Sequence, residues 1–172
     1  VNIPCSRDNT LYDSPTGALS AGAGTGIFVG VTSQTANPRR RAVIRFDVAA
    51  QVPRSAHILS AVLTVNVAQG SPGPVDVMGH RLTQNWGEGT SLPVGGFGGG
   101  GAGGPATAGD ATWLHTFFPG SLWTNPGGDF AAAPSFTFLT NPAGTASSPV
   151  TTAATADVQG WLLAAFALSF AI

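Results

Sequence analysis

Apolar and polar positions alternate along much of this chain, and the period is two rather than the 3.6 of a helix. Val75-Asp76-Val77-Met78-Gly79-His80-Arg81-Leu82 reads as a strand on that ground. In Ala42 to Val48, Val43, Arg45 and Asp47 take one side while Ile44, Phe46 and Val48 take the other. The longest run, His57 to Val67, sets Ala61, Leu63, Val65 and Val67 against Ser60, Val62, Thr64 and Asn66. Val1–Ser6, Gly26–Val31, Thr112–Phe118 and Ser135–Thr140 are shorter strand candidates. Ser14-Pro15-Thr16-Gly17, Asn37-Pro38, Val52-Pro53, Ser71-Pro72-Gly73-Pro74 and Thr124-Asn125-Pro126-Gly127 punctuate them as turns. Val150–Asp157 reads either as a strand or, with Ala153–Leu163, as a short helix.

Eight or nine strands with long loops predict an all-β fold. The expected form is a two-sheet antiparallel β-sandwich of jelly-roll type, with Gly/Pro-rich loops and at most one short helix near Ala153–Leu163. At 172 residues a single β-sandwich domain over 1–172 is expected. The stretch from Trp161 to Ile172 is apolar throughout, yet too short to span a bilayer as a helix. It reads as a buried closing strand, or as one that reaches into a neighbouring subunit.

Composition changes the picture in one respect. Only 9% of residues are charged, far below the ordinary share of about 25%, and every basic residue is arginine. Such a surface does little to keep molecules apart. The net charge of −1 argues against nucleic acid, because phosphate recognition needs clustered cations. Arg39-Arg40-Arg41 is the one basic run, read as a solvated edge or salt-bridge donor. Cys5 is the sole cysteine, read as a small buried or half-buried side chain. A start at Val1, no lysine and abundant Ser, Thr, Gly and Pro place the protein outside the cell or on its surface.

Several segments, in order, resemble a known family. Ser6-Arg7-Asp8-Asn9-Thr10-Leu11-Tyr12-Asp13 is similar to its N-terminal motif, and Gly17-Ala18-Leu19-Ser20 with Gly22-Ala23-Gly24 to the small-residue turn after it. Arg40-Arg41-Ala42-Val43-Ile44-Arg45-Phe46-Asp47 is similar to its strand ending in Phe-Asp, and Ile58–Val67 to the long strand that follows. Trp86-Gly87-Glu88-Gly89, Thr112-Trp113 and Asp157-Val158-Gln159-Gly160-Trp161 resemble its later landmarks. The family is that of the secreted bacterial β-sandwich domains named after a DNRLRE motif, related to disaggregatase-type carbohydrate-binding modules. The resemblance implies a sandwich, an extracellular setting and, loosely, carbohydrate binding. The chain departs from the family pattern in its enlarged glycine loop and its alanine-rich, apolar end.

Candidate chemistry is sparse. No nucleophile motif is present, and Glu88 and Asp110 form the only carboxylate pair a hydrolase could use; capping of neighbouring turns accounts for them better. No catalytic or cofactor-binding residue is assigned, and the expectation is a non-enzymatic protein. His57, His80 and His115 are scattered and read as locally hydrogen-bonded strand residues. Asp8, Asn9 and Asp13 are candidate calcium ligands, weighed against an Asx-type turn at Asp8 and Asn9. Trp86, Trp113, Trp123 and Tyr12 are either core aromatics or stacking platforms for a sugar ring. The tract Gly95–Gly104 lacks the Lys-Ser/Thr ending of a phosphate loop; it reads either as a flexible surface loop or, with Phe97 at its centre, as a surface for close backbone approach to a neighbour.

Three functions compete on this reading. The first is an extracellular structural protein that associates with copies of itself into a fibre, sheath or matrix, with Phe97, Leu162, Phe166, Leu168 and Phe170 as association residues and strand addition as the mode. The second is a carbohydrate-binding module contacting polysaccharide through the four aromatics. The third is the hydrolase.

Overall fold

The computed structural model describes residues 1–95, 101–164 and 169–172. The protein is all-β and antiparallel, with only two short helices among the described residues. Among the described residues twelve strands occur in the order β1 (Cys5–Tyr12), β2 (Leu19–Ser20), β3 (Gly30–Val31), β4 (Arg39–Phe46), β5 (Thr64–Val67) and β6 (Val75–Arg81), then β7 (Gly104–Pro105), β8 (His115–Phe117), β9 (Ser121–Leu122), β10 (Phe136–Thr140), β11 (Gly144–Ser147) and β12 (Ser169–Ala171). Helix α1 (Val48–Gln51) follows β4, and α2 (Thr152–Leu163) precedes β12. The chain packs as two compact units. One comprises Val1–Ile3, Asp47–Arg81 and Ala131–Ala167; the other comprises Pro4–Phe46, Leu82–Phe130 and Leu168–Ile172.

In the second unit β4 lies between β1 and β12, and β3 adds two residues to it. The strand expected at Ala42–Val48 is β4, which begins earlier, at Arg39, and buries Ala42, Val43 and Ile44 in succession; Val48 belongs to α1. The first strand runs later than Val1–Ser6, because Leu11 and Tyr12 are the apolar residues that find a core. That core joins Leu11, Val43, Leu82, Ala111 and Ala171 to Trp86, Trp113 and Trp123. Arginines take part as planes as well as charges. The guanidinium of Arg41 lies 5.1 Å from the Trp113 ring and 4.8 Å from Phe130, and that of Arg40 lies 4.8 Å from Tyr12. Arg40 is buried, against the expected solvated edge, and donates to the carbonyls of Asn37, Arg39 and Gly101.

The first unit contains two ladders, β6 with β10 and β5 with β11. Burial alternates from Ser60 to Val67, with Leu63 buried, Ala61, Val65 and Val67 half-buried and the residues between them exposed. Ladder pairing covers only Thr64–Val67 of the long expected strand. Residues 152–163 are helical rather than extended. Thr151 caps α2 by accepting from the Ala154 N–H at 3.0 Å, and the helix buries Ala154, Trp161 and Leu162. Asp157 on α2 accepts from Ser135 Oγ at 2.6 Å and pairs with Arg81 at 3.1 Å. The single turn α1 is a second helix, where at most one was expected. Asp47 caps it through the Ala50 N–H, and Val52-Pro53 follow.

Candidate functional site

The most built polar site is buried around Asn9 of β1. Its Oδ1 accepts from the backbone N–H of Thr10 at 2.7 Å and of Ala21 at 3.0 Å. Its Nδ2 donates to the Glu88 carbonyl at 2.8 Å and to Ser20 Oγ at 2.9 Å, and Ser20 Oγ donates to the Ala111 carbonyl at 2.9 Å. All four bonds open to an asparagine side chain are therefore made. Asp110, also fully buried, accepts from the N–H of Ser91 and Thr107 and from the Thr107 hydroxyl. Glycine makes the assembly fit. A Cβ at Gly22 would lie 1.8 Å from the Glu88 carbonyl oxygen, and one at Gly89, whose φ is +73°, would lie 1.5 Å from Asp110 Oδ1. The group ties three loops together and leaves no oxygen lone pair of Asn9 open to a ligand.

These contacts bear on the calcium candidates. The Oδ1 of Asn9 faces N–H donors, and Asp13 pairs with Arg39 at 3.6 Å. Among the described residues no group of three or more His, Cys, Asp or Glu is placed to hold a metal ion. Asp8 has a different neighbour. Burial pushes its carboxyl above the usual range, and the Glu88 carboxylate adds to the rise. Glu88 Oε1 in turn accepts from the Asp8 backbone N–H at 3.0 Å.

The candidate sugar platform is corrected as well. Trp86, Trp113, Trp123 and Tyr12 are all buried, the most exposed of them at 6%. Their ring area is spent on the core, which is where large apolar surface gains most. Trp86 Nε1 donates to Ser169 Oγ and Trp123 Nε1 to the Thr112 carbonyl, as buried indoles require. Glu88 and Asp110 do share one neighbourhood, but the oxygens of Asp110 are occupied inside the fold. The Nδ1 of His115 bonds Thr112 Oγ1, within its own loop, and that of His80 bonds the Ala131 carbonyl at 2.9 Å. Cys5 is exposed rather than buried.

Of the expected association residues, Leu162 is buried on α2 and Phe170 is buried in β12. β12 pairs with β4 of the same chain, and Ile172 and Ala42 exchange backbone bonds of 2.8 and 2.9 Å. Residues 169–172 therefore enter their own fold, where β4 offers them a ladder. Phe97, Phe166 and Leu168 lie outside the described residues.

A surface that the sequence reading did not single out lies in the first unit. His57, Ile58, Leu59, Val150, Thr155 and Gln159 line an open, largely apolar groove of about 380 Å³. Leu59 is 85% exposed beside it, and Val62 is 51% exposed. Gln159 of α2 closes one end of this stretch: its Oε1 accepts from the Ile58 N–H at 2.8 Å, and its Nε2 donates to the Ala56 carbonyl at 3.4 Å. The signal in the sequence was the run from His57 to Val67, which carries no Asp, Glu, Lys or Arg.

Comparison with protein-family models, with curated proteins and with solved structures found no match to this chain.

Proposed function

We propose that this is a non-enzymatic structural protein of the cell exterior whose copies associate with one another, built on a sandwich of jelly-roll type like the DNRLRE-motif domains it resembles. The observation that carries the reading is a surface on which aliphatic side chains stand in water while charge is scarce. Leu59 is 85% and Val94 92% exposed, in a chain only 9% charged. Single exposed aliphatics are ordinary. Here Leu59 and Val150 border one apolar groove, and Val62 follows in the same run. Little electrostatic repulsion opposes contact between copies. Phe170 is buried and Ile172 is paired within their own fold, so the reading rests on these exposed aliphatics instead.

Light scattering on the purified protein across a hundredfold concentration range, with negative-stain microscopy at the top, tests this reading. Mass that rises with concentration, ending in regular assemblies, is the expected result. A constant monomer mass over the whole range would overturn it.

A further inference from the structure

We propose that β5 pairs antiparallel with β5 of a second copy, along the edge facing away from β11 and about a two-fold axis at Thr64. The proposal rests on the self-association reading and names its surface. Ser148 N–H donates to the Leu63 carbonyl at 2.9 Å, and Leu63 N–H donates to Ser148 Oγ at 3.0 Å. Leu63 thus faces β11, and in the register Thr64↔Ser147 to Val67↔Gly144 the alternation of an antiparallel ladder turns Val65 and Val67 the same way. The N–H and C=O of Thr64 and Asn66 are then left on the opposite edge. The β5–β11 ladder has two strands and no third among the described residues.

An open edge is a template for another strand, and proteins ordinarily protect one with charge, proline or a bulge. None is present here. No ionisable acid, lysine or arginine occurs from His57 to Val67, and no proline interrupts the run. The sequence is also self-complementary in a register that brings outward-facing groups together. A two-fold at Thr64 sets Leu63 opposite the second copy's Val65 and Ala61 opposite its Val67, so the partly buried side chains meet apolar partners. On the other face Thr64 meets Thr64, a favourable cross-strand pair, and Val62 meets Asn66. A closed, isologous contact of this kind yields a dimer with a continuous β11–β5–β5–β11 sheet. The groove by Leu59 remains for further association.

The test is sedimentation velocity on the full chain over a concentration series, with disulfide trapping read separately. Thr64→Lys places two ammonium groups face to face on an exposed position and is expected to weaken dimerisation at least about tenfold. Thr137→Lys, on an exposed position of β10, is expected to leave it unchanged. Thermal unfolding by circular dichroism checks that both variants fold. In a Cys5→Ser background, Thr64→Cys is expected to give a disulfide-linked dimer, since paired strand residues hold their Cα atoms about 5.5 Å apart. Asn66→Cys, displaced from the axis, should not. A wild type that stays monomeric throughout overturns both this proposal and the reading beneath it. A wild type that associates, with Thr64→Lys associating equally or Thr64→Cys failing to link, overturns the β5 edge alone.

Discussion

Two strand edges in this molecule are treated in opposite ways. Along β1 two amides that turn away from β4 are taken up by side chains of the same unit. Asp8 N–H donates to Glu88 Oε1, and Thr10 N–H donates to Asn9 Oδ1. Thr10 Oγ1 then accepts from Phe28 N–H at 3.0 Å, so the chain beyond is bound to the strand as well. In the segment that leads into β5 only the start is held, where Gln159 bonds Ala56 and Ile58. The outward sides of Thr64 and Asn66 have no strand beside them among the described residues. The difference lies in the neighbours each segment has been given. β1 has a glycine-permitted crowd of carbonyls and amides at its side, whereas β5 has short aliphatic and hydroxyl side chains and open solvent. A sealed edge makes a fold specific; an open one invites a partner.

The comparison can be broken first at its sealed side. Asn9→Leu removes two acceptor sites and two donors from a fully buried position, leaving the Thr10 and Ala21 amides without partners. Each orphaned buried group costs about 1–3 kcal/mol, so the variant should lose about 3 kcal/mol or more in a urea titration. A loss below about 1 kcal/mol would show that water replaces the amide and that the seal is dispensable.

Asp129 gives a smaller effect with a definite pH signature. Burial alone would raise its carboxyl, but the amides of Thr124 and Asn125 and the side chain of Asn125 donate to it and hold it below the usual range. A carboxyl depressed in the folded state stabilises the fold above its unfolded pKa, and that contribution is lost as pH falls through the folded value. Asp129→Asn should therefore lower the melting temperature at neutral pH and flatten its decline in acid. An unchanged acid limb would exclude Asp129 as a source of that decline.

The smallest effect sharpens the account of Glu88. Because Asp8 is raised by burial and then by Glu88, its proton binds more tightly in the folded state. The sign is opposite to that of Asp129: its contribution is full below the unfolded pKa and disappears as pH rises through the folded one. Glu88→Gln keeps an oxygen acceptor for the Asp8 amide while removing the charge. The Asp8 carboxyl, followed by NMR titration, should move down toward its ordinary range with little change in stability. A carboxyl that does not move would mean that burial acts alone.

Much of the strand pattern was legible because burial follows the pleat. Ser60–Val67 alternates in burial as it does in the sequence, whereas Ala42, Val43 and Ile44 are all buried. The helix at Thr152–Leu163 was ambiguous because alanine and threonine fit a short strand nearly as well; the Thr151 cap and the burial of Trp161 decide it. The role of Asn9 was not legible. Its grouping with Asp8 and Asp13 suggested a cation, whereas its partners are backbone carbonyls of Glu88 and Ala111, far along the chain and without a signature in residue type. The tryptophans were equally opaque, since a ring that stacks on sugar and one that fills a core have the same letter. The open edge of β5 had a visible signal in its missing charge, but only the two-stranded ladder identifies which side is uncovered.

Amide hydrogen exchange resolved by residue, recorded at low and high protein concentration, tests the contrast between the edges directly. The Asp8 and Thr10 amides should be protected equally at both concentrations, whereas Thr64 and Asn66 should exchange freely when dilute and become protected when concentrated. Protection at Thr64 and Asn66 that does not depend on concentration would contradict the account, whether those amides are slow throughout or fast throughout.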